Sequence, residues 1–301
     1  MKIAIIAPTD FAPHKYLCTE IARKFDLVAI FNPIRRSDTK KTRFQRLLSG
    51  LRRHGLLYYS MMKAASLDKP AIGWSRAHGM DRATEAFFGH IEKDFSLAAA
   101  RIVENVDISS PTAVDLLSRP HPDIVICSGG PIYPKSMIEA LPLILNYHTG
   151  ISPIYNGSSS MFWVFANGQP QFSGGTLMKM NETVDGGDIL AHYLPEIDEN
   201  DDPAILFCKT IVGGVKLFHN ILGDLQEGRP LHSIKQRKPL FYYKSSDWTV
   251  YQNISIRRHI ENHVCRQFVR PEEFVEYWRM GTAECASGSL DAKLCQLLAQ
   301  C

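Results

Sequence analysis

Short apolar runs that do not alternate with polar residues, set apart by stretches of helix length, leave few architectures open to this chain. Lys2 to Ala7 is the first such run and stops at Pro8; Asp26 to Asn32 is the second, and the residues from about His14 to Phe25 between them suffice for a helix. Asp123 to Cys127 is a third run, ending in Ser128, Gly129 and Gly130. Leu143 to His148 is a fourth, after a short helical stretch from Pro134 to Ala140. Strands buried on both faces read this way, because helices cover each side of a parallel sheet. Strand and helix in alternation predict a doubly wound, mostly parallel α/β sheet, with any chemistry at the carboxyl ends of its strands.

The remaining segments hang on that frame. Arg35 to His54 holds eight Arg or Lys against one Asp, with Leu47, Leu48 and Leu51 at helical spacing, so a basic amphipathic helix is expected. Such a charge run serves either as a solvated face or as a contact for a phosphate-bearing ligand. With a second helix expected over Ala83 to Val103, residues 37–104 read as a largely helical insertion between sheet elements. After His148 a Gly- and Ser-rich turn leads to a helix over Ser159 to Ala166 and strands over Gly174 to Met180 and Asp188 to Leu194. Asp202 before Pro203 is an N-cap signal for a long amphipathic helix to about Gln226. Beyond Arg229 the composition turns basic and aromatic, with helices expected at Ile254 to Phe268 and Pro271 to Arg279. The division expected is a main unit over 1–228 and a small C-terminal segment over 229–301, without internal repeats.

Several classes of function are disfavoured. The uncharged apolar runs, such as Leu141 to Leu145, fall far short of the roughly 20 residues of a membrane span. The opening Lys2 to Ala7 is too short for a signal peptide. Seven scattered cysteines show neither a C-x-x-C pair nor zinc-ligand spacing, and are expected as reduced thiols of a cytoplasmic protein. A net charge of +3, from 34 basic and 31 acidic residues, demands neither a membrane nor nucleic acid as partner.

Asn146 and His148 lie two apart at the end of a strand and so share one face. An amide donor beside an imidazole suits chemistry that passes through an oxyanion and moves a proton near neutral pH; the alternative is a core His satisfied by a backbone carbonyl. Asp185 lies in a V-D-G-G turn where the glycines can supply positive φ. As a functional group it would be the third member that orients His148 and orders a water for proton transfer. Spacing alone does not bring the two together.

The succession N-Y-H-T-G-I-S-P-I-Y-N-G, W-V-F-A-N-G, G-G-T-L-M-K-M and V-D-G-G-D-I-L resembles the formyltransferase family that uses 10-formyltetrahydrofolate, which includes glycinamide ribonucleotide, methionyl-tRNA and sugar N-formyltransferases. It covers about Asp123 to Leu194, and the opening M-K-I-A-I-I-A-P-T-D-F-A is similar to the family's first strand and loop. The resemblance implies a Rossmann-like formyltransferase fold, with Asn146, His148 and Asp185 in the positions of the catalytic Asn, His and Asp. It implies 10-formyltetrahydrofolate as co-substrate without a metal. The pterin would lie against the backbone of Gly130, Pro131, Ile132 and Tyr133 and of the loop before Asp185, with Met180 to Val184 as one wall.

Departures bear on the acceptor. Where the family commonly has H-P-S-L-L-P, this chain has His148, Thr149, Gly150, Ile151, Ser152 and Pro153; where the tRNA enzymes usually place Arg before the Gly, Asn156 precedes Gly157. The segment after 228 shows no five-strand barrel pattern, which argues against tRNA as acceptor. The run Lys238 to Tyr243 is similar to a tyrosine-bearing segment of sugar formyltransferases. The expected acceptor is therefore an amine on a small anionic metabolite, an amino-sugar nucleotide first and a hydroxyornithine-type amine second. A formyltetrahydrofolate hydrolase and a non-catalytic nucleotide-binding protein are the rivals, the latter without a G-x-G-x-x-G after the first strand. The terminal segment is a candidate homodimer contact. Trp163, Phe165, Trp248, Trp278 and Cys127 read as packing residues.

Overall fold

A computed structural model describes residues 1–34, 48, 51–52, 55–57, 59–60, 76–95, 101–110, 112–129 and 133–280. The chain opens with β1 (Lys2–Ile6), α1 (Ala12–Lys24) and β2 (Asp26–Pro33), then α2 (Arg76–Phe88), α3 (Ile91–Asp94), β3 (Ile102–Val106), α4 (Ala113–Ser118) and β4 (Ile124–Cys127). It continues through α5 (Lys135–Ala140), β5 (Leu143–His148), β6 (Tyr155–Gly157), α6 (Ser160–Ala166), β7 (Gly175–Lys179), β8 (Ile189–Leu194) and α7 (Pro203–Gln226). β9 (Phe241–Tyr243), α8 (Val250–Glu261) and β10 (Glu273–Glu276) follow. The main sheet has eight strands in the order β10-β8-β7-β5-β4-β1-β2-β3. From β3 to β5 every neighbour is parallel, as the unbroken apolar runs predict; β7, β8 and β10 extend the sheet antiparallel. The order turns back on either side of β1, which opens a crevice at the carboxyl ends of β1 and β4.

Two expectations are corrected. The helix foreseen over Ala83 to Val103 ends at Phe88, and Ile102–Val106 is instead the edge strand β3, with Ile102 and Val103 opposite Ile30 and Phe31. β-branched residues beside an open parallel edge gain more from the ladder than from extending a helix past Gly89. The helix foreseen at Pro271 to Arg279 is strand β10 followed by a single 3-10 turn, Tyr277–Arg279. β8 offers an unpaired edge there, and Phe274 packs on Tyr193 with ring centroids 4.8 Å apart. The C-terminal segment thereby returns to the main sheet, and Trp278 and Tyr277 are fully buried. The basic helix expected over 35–54 falls mostly outside the described residues, as do 281–301.

Asp202 caps α7 as expected, accepting from the amides of Ala204 and Ile205. This helix is long and apolar enough to cross a membrane by length and composition, unlike the runs judged from the sequence. Here Leu206, Cys208, Val215, Leu217, Phe218, Ile221 and Leu222 are buried in the core instead. Gly213 and Gly214 let it lie against the sheet: a Cβ at Gly213 would come 2.1 Å from the ring of Tyr193, and one at Gly214 2.3 Å from that of Tyr147. The opposite sheet face packs Ile6, Val125, Cys127 and Ile144 against Leu117 and Met137 of α4 and α5. Cys18, Cys127, Cys208 and Cys265 are free thiols, each pushed up to about 12 by burial, and serve as core residues.

Candidate active site

The register of β5 decides which side chains can meet. Leu145 and Tyr147 point to α7, where the Tyr147 hydroxyl donates to the Thr210 carbonyl at 2.9 Å. Asn146 and His148 share the opposite face of the strand, and both line a cavity of about 620 Å³. Asn146 lies opposite Cys127 of β4 and Met178 of β7, which places it at the carboxyl edge of the parallel sheet.

His148 is buried, with 9% of its surface exposed, and is held on both ring nitrogens. Nε2 lies 3.1 Å from the Tyr155 carbonyl and 3.2 Å from Ser160 Oγ, whose own hydroxyl donates to the Gly157 carbonyl. A carbonyl can only accept, and the Ser160 hydrogen is already committed, so Nε2 carries the proton. Nδ1 is then the nitrogen without a hydrogen, and Asp185 Oδ1 is 3.4 Å from it. One ring nitrogen is thus held by backbone and the other faces a carboxylate.

Asp185 reaches that position through an unusual backbone. Positive φ falls on Asp185 itself, at +51°, rather than on the glycines that follow. A left-handed non-glycine residue costs about 1 kcal/mol, least for Asp and Asn. Gly187 is needed for a different reason, since a Cβ there would come within 1.8 Å of the Lys179 carbonyl. The Asp185 carboxylate accepts from the Gly157 amide at 2.9 Å, and its carbonyl accepts from Asn156 Nδ2 at 2.8 Å and Gln236 Nε2 at 2.9 Å.

Of the residues expected to hold the folate, Tyr133, Met180 and Val184 line the cavity, joined by Ile138 and Met178 in an apolar wall and by Asn181, Glu182 and Thr183. Gly130, Pro131 and Ile132 lie outside the described residues. Burial raises the Tyr133 hydroxyl well above its ordinary range. Lys135 at the start of α5 pairs with Glu182 at 2.6 Å beside this wall. Among the described residues no group of three or more His, Cys, Asp or Glu is placed to hold a metal.

Other residues join them at the cavity. His14 follows β1, and its Nδ1 donates to the Pro8 carbonyl at 2.9 Å. Tyr242, Tyr243, Lys244 and Ser245 come from β9 and the turn after it, beyond residue 228. β9 pairs with β6 as a separate two-stranded ribbon, and Tyr243 stacks on Trp163 with centroids 3.9 Å apart. The aromatic run at Lys238 to Tyr243 was the one signal for this contribution. Of the three serines that precede and open α6, Ser158 lines the cavity and Ser160 holds His148, while Ser159 makes no side-chain cap.

A formyl transferase family model matches residues 74–217, a little under half of the chain. A methionyl-tRNA formyltransferase of Clostridioides difficile is 29% identical over 131 residues, 43% of this chain and 42% of that protein. One from a Nitratiruptor species is 35% identical over 139 residues, 43% and 45% of the two. The chain thus spans less than half the length of these relatives. A solved 4-N formyltransferase from Francisella tularensis superposes with a TM-score of 0.52 at 16% identity, covering 86% of this chain and 87% of that one. A sugar N-formyltransferase from a Shewanella species gives 0.51 at 16% identity, with the same coverage. The resemblance read from the motifs is therefore matched in sequence over the central region and in fold over most of the chain.

Proposed function

We propose, with the formyl transferase resemblance as premise, that this chain moves a formyl group from 10-formyltetrahydrofolate to an amine of a small anionic metabolite, an amino-sugar nucleotide. The observation that carries the reading is the meeting of Asn146, His148 and Asp185 at one cavity, with the His148 Nδ1 proton site 3.4 Å from the Asp185 carboxylate.

The cavity suits a folate. A flat pterin fits a slot walled by Ile138, Met178, Met180 and Val184, and the polar groups of Asn181, Thr183 and Asp185 line the same cavity. Bound there, 10-formyltetrahydrofolate supplies a formyl carbon open to attack by an amine. Asn146 offers an amide N–H to the formyl oxygen as it gains negative charge. His148 takes the proton that the attacking amine loses, at Nδ1, and passes it to the folate nitrogen as the C–N bond breaks. Asp185 pairs with the imidazolium formed between these two transfers.

The acceptor would enter past Tyr242, Tyr243, Lys244 and Ser245, which lie with Ser158 at the same cavity. Lys244 supplies positive charge there and the tyrosines supply flat apolar faces, which suits a phosphate-bearing nucleotide. The strands among the described residues beyond 228 are two short ones, β9 and β10, rather than the five of a barrel, and this favours a small acceptor over tRNA.

Calorimetric titration with 5-formyltetrahydrofolate, paired with formyl-transfer assays on a panel of amino-sugar nucleotides and hydroxyornithine, tests the reading. Saturable binding to both wild type and His148→Ala, with transfer lost in the variant, is the expected result. Absence of binding at millimolar folate would overturn it, and formate release without any amine would move the assignment to hydrolysis.

A further inference from the structure

We infer that Asn156 and Gln236 form a clamp that sets the Asp185 carboxylate toward His148, and that Gln236 is a positioning residue of the reaction; this rests on the formyl-transfer reading above. Asn156 stands where Arg is the usual residue of the tRNA enzymes, and Gln236 lies in the segment after residue 228.

The hydrogen bonds close on themselves. Asn156 Nδ2 donates to the Asp185 carbonyl at 2.8 Å and to Gln236 Oε1 at 2.8 Å. Gln236 Nε2 donates to the same Asp185 carbonyl at 2.9 Å and to the Gly187 carbonyl at 3.0 Å. All four amide hydrogens are used, and the Asp185 carbonyl receives two of them, which is its full capacity. Each acceptor here other than Gln236 Oε1 is a backbone carbonyl, so neither amide can be turned over without setting oxygen against oxygen. Asn156 is buried, with 1% of its surface exposed, and its Oδ1 makes no hydrogen bond, so the position is used for its donors.

What the clamp holds is a backbone that would not persist alone. Asp185 sits at φ +51°, and such conformations last only where surrounding contacts over-determine them. Gly157 meanwhile holds Asp185 Oδ2 through its amide at 2.9 Å, leaving Oδ1 as the oxygen that faces Nδ1. The clamp thus fixes the main chain of Asp185 while Gly157 fixes the rotation of its carboxylate. Gln236 reaches the site because Ile234, two residues before it, exchanges both backbone hydrogen bonds with Ile189 at the start of β8. The C-terminal segment is in this way tied to the geometry of the proton-transfer pair without touching His148.

The test is a double-mutant cycle of Gln236→Leu and Asp185→Asn in the full chain. Gln236→Leu should lower kcat roughly tenfold to a hundredfold, the effect of misplacing a reacting group by about 1 Å, while KM for the formyl donor moves by less than about threefold. The doubly substituted protein should be no slower than Asp185→Asn alone, because Gln236 acts only through Asp185. Wild-type kcat in Gln236→Leu, or full additivity of the two losses, would overturn the inference. Should Gln236→Leu not fold, Asn156→Ala enters the same cycle. If the wild type transfers formyl to no acceptor, the functional reading has failed separately, and hydrogen exchange at the Gly186 amide then decides the clamp: exchange faster by about tenfold or more in Gln236→Leu supports it, and unchanged exchange overturns it.

Discussion

Replacing Gly150 by alanine adds one methyl group at the tightest point behind the imidazole. Its Cβ would lie 2.5 Å from His148 Nε2, 2.6 Å from the Tyr155 carbonyl and 2.8 Å from Ser160 Cβ. Ordinary contact begins near 3.4 Å, so the ring must withdraw by about 1 Å, and it cannot do so without leaving the Tyr155 carbonyl and Ser160 that fix its tautomer. A displacement of that size in a catalytic group costs about a hundredfold in rate. Forcing a methyl into a packed site also destabilises by about 1–3 kcal/mol, which calorimetry would register as a fall in Tm of several degrees. The assay compares formyl-transfer kcat and Tm of Gly150→Ala with those of Gly223→Ala, whose added Cβ meets nothing within 4 Å. That control should keep wild-type kcat and gain up to about 1 kcal/mol from helix propensity. Wild-type kcat in Gly150→Ala would refute the argument, since it would mean that the placement of the His148 ring is not what the reaction uses.

Asp224, buried on α7, accepts from Trp278 Nε1 at 2.8 Å, Arg279 Nε at 2.6 Å and Arg229 Nη1 at 2.8 Å, so Asp224→Asn should cost about 2–3 kcal/mol of unfolding free energy in denaturant titration. The Arg279 hydrogen bond, aided by Trp278 and the nearby guanidinium charges, holds the Asp224 carboxyl below its ordinary value. A depressed folded-state value means that its contribution is complete above roughly pH 4 and is lost as pH falls through the folded value; wild type minus Asp224→Asn, followed from pH 6 to 2, should shrink in that window. At the cavity, Lys244→Glu should raise KM for a phosphate-bearing acceptor by about tenfold or more while leaving 5-formyltetrahydrofolate affinity unchanged in the calorimeter. An unchanged acceptor KM would remove Lys244 from the acceptor's path.

The parallel half of the sheet was legible because its strands are buried on both faces and carry no polar alternation: β1, β2, β4 and β5 all lie where the apolar runs place them. β3 and β10 were not, and the reason is common to both. Each is a short edge strand, IVENV and EFVE, whose pairing depends on a neighbour's open edge rather than on its own pattern. In the site, Asn146 and His148 followed from period-two geometry, and Asp185 from its place in an ordered set of motifs. Gln236 lay beyond reach because nothing local marks a residue brought in by a segment that returns to the sheet 40 or more residues after β8, and Lys244 only adjoins the aromatic run that ends at Tyr243. The glycines of V-D-G-G misled in detail: the strained φ sits on Asp185 itself, and Gly187 is required by the Lys179 carbonyl instead.

The two departures from the commoner family pattern become one arrangement when placed in space. Gly150 stands where Ser is common, and only a residue without a Cβ leaves room for the His148 ring to settle against the Tyr155 carbonyl and Ser160 Oγ. That contact commits the Nε2 proton and leaves Nδ1 facing Asp185 Oδ1, so the proposed proton transfer puts a demand for orientation on Asp185 as well. Asn156 stands where the tRNA enzymes usually have Arg, and it meets that demand by holding the Asp185 main chain together with Gln236. Asn156 therefore makes this position part of the scaffold, and in the proposed reaction the positive charge offered to the acceptor comes from Lys244 on the returning C-terminal segment.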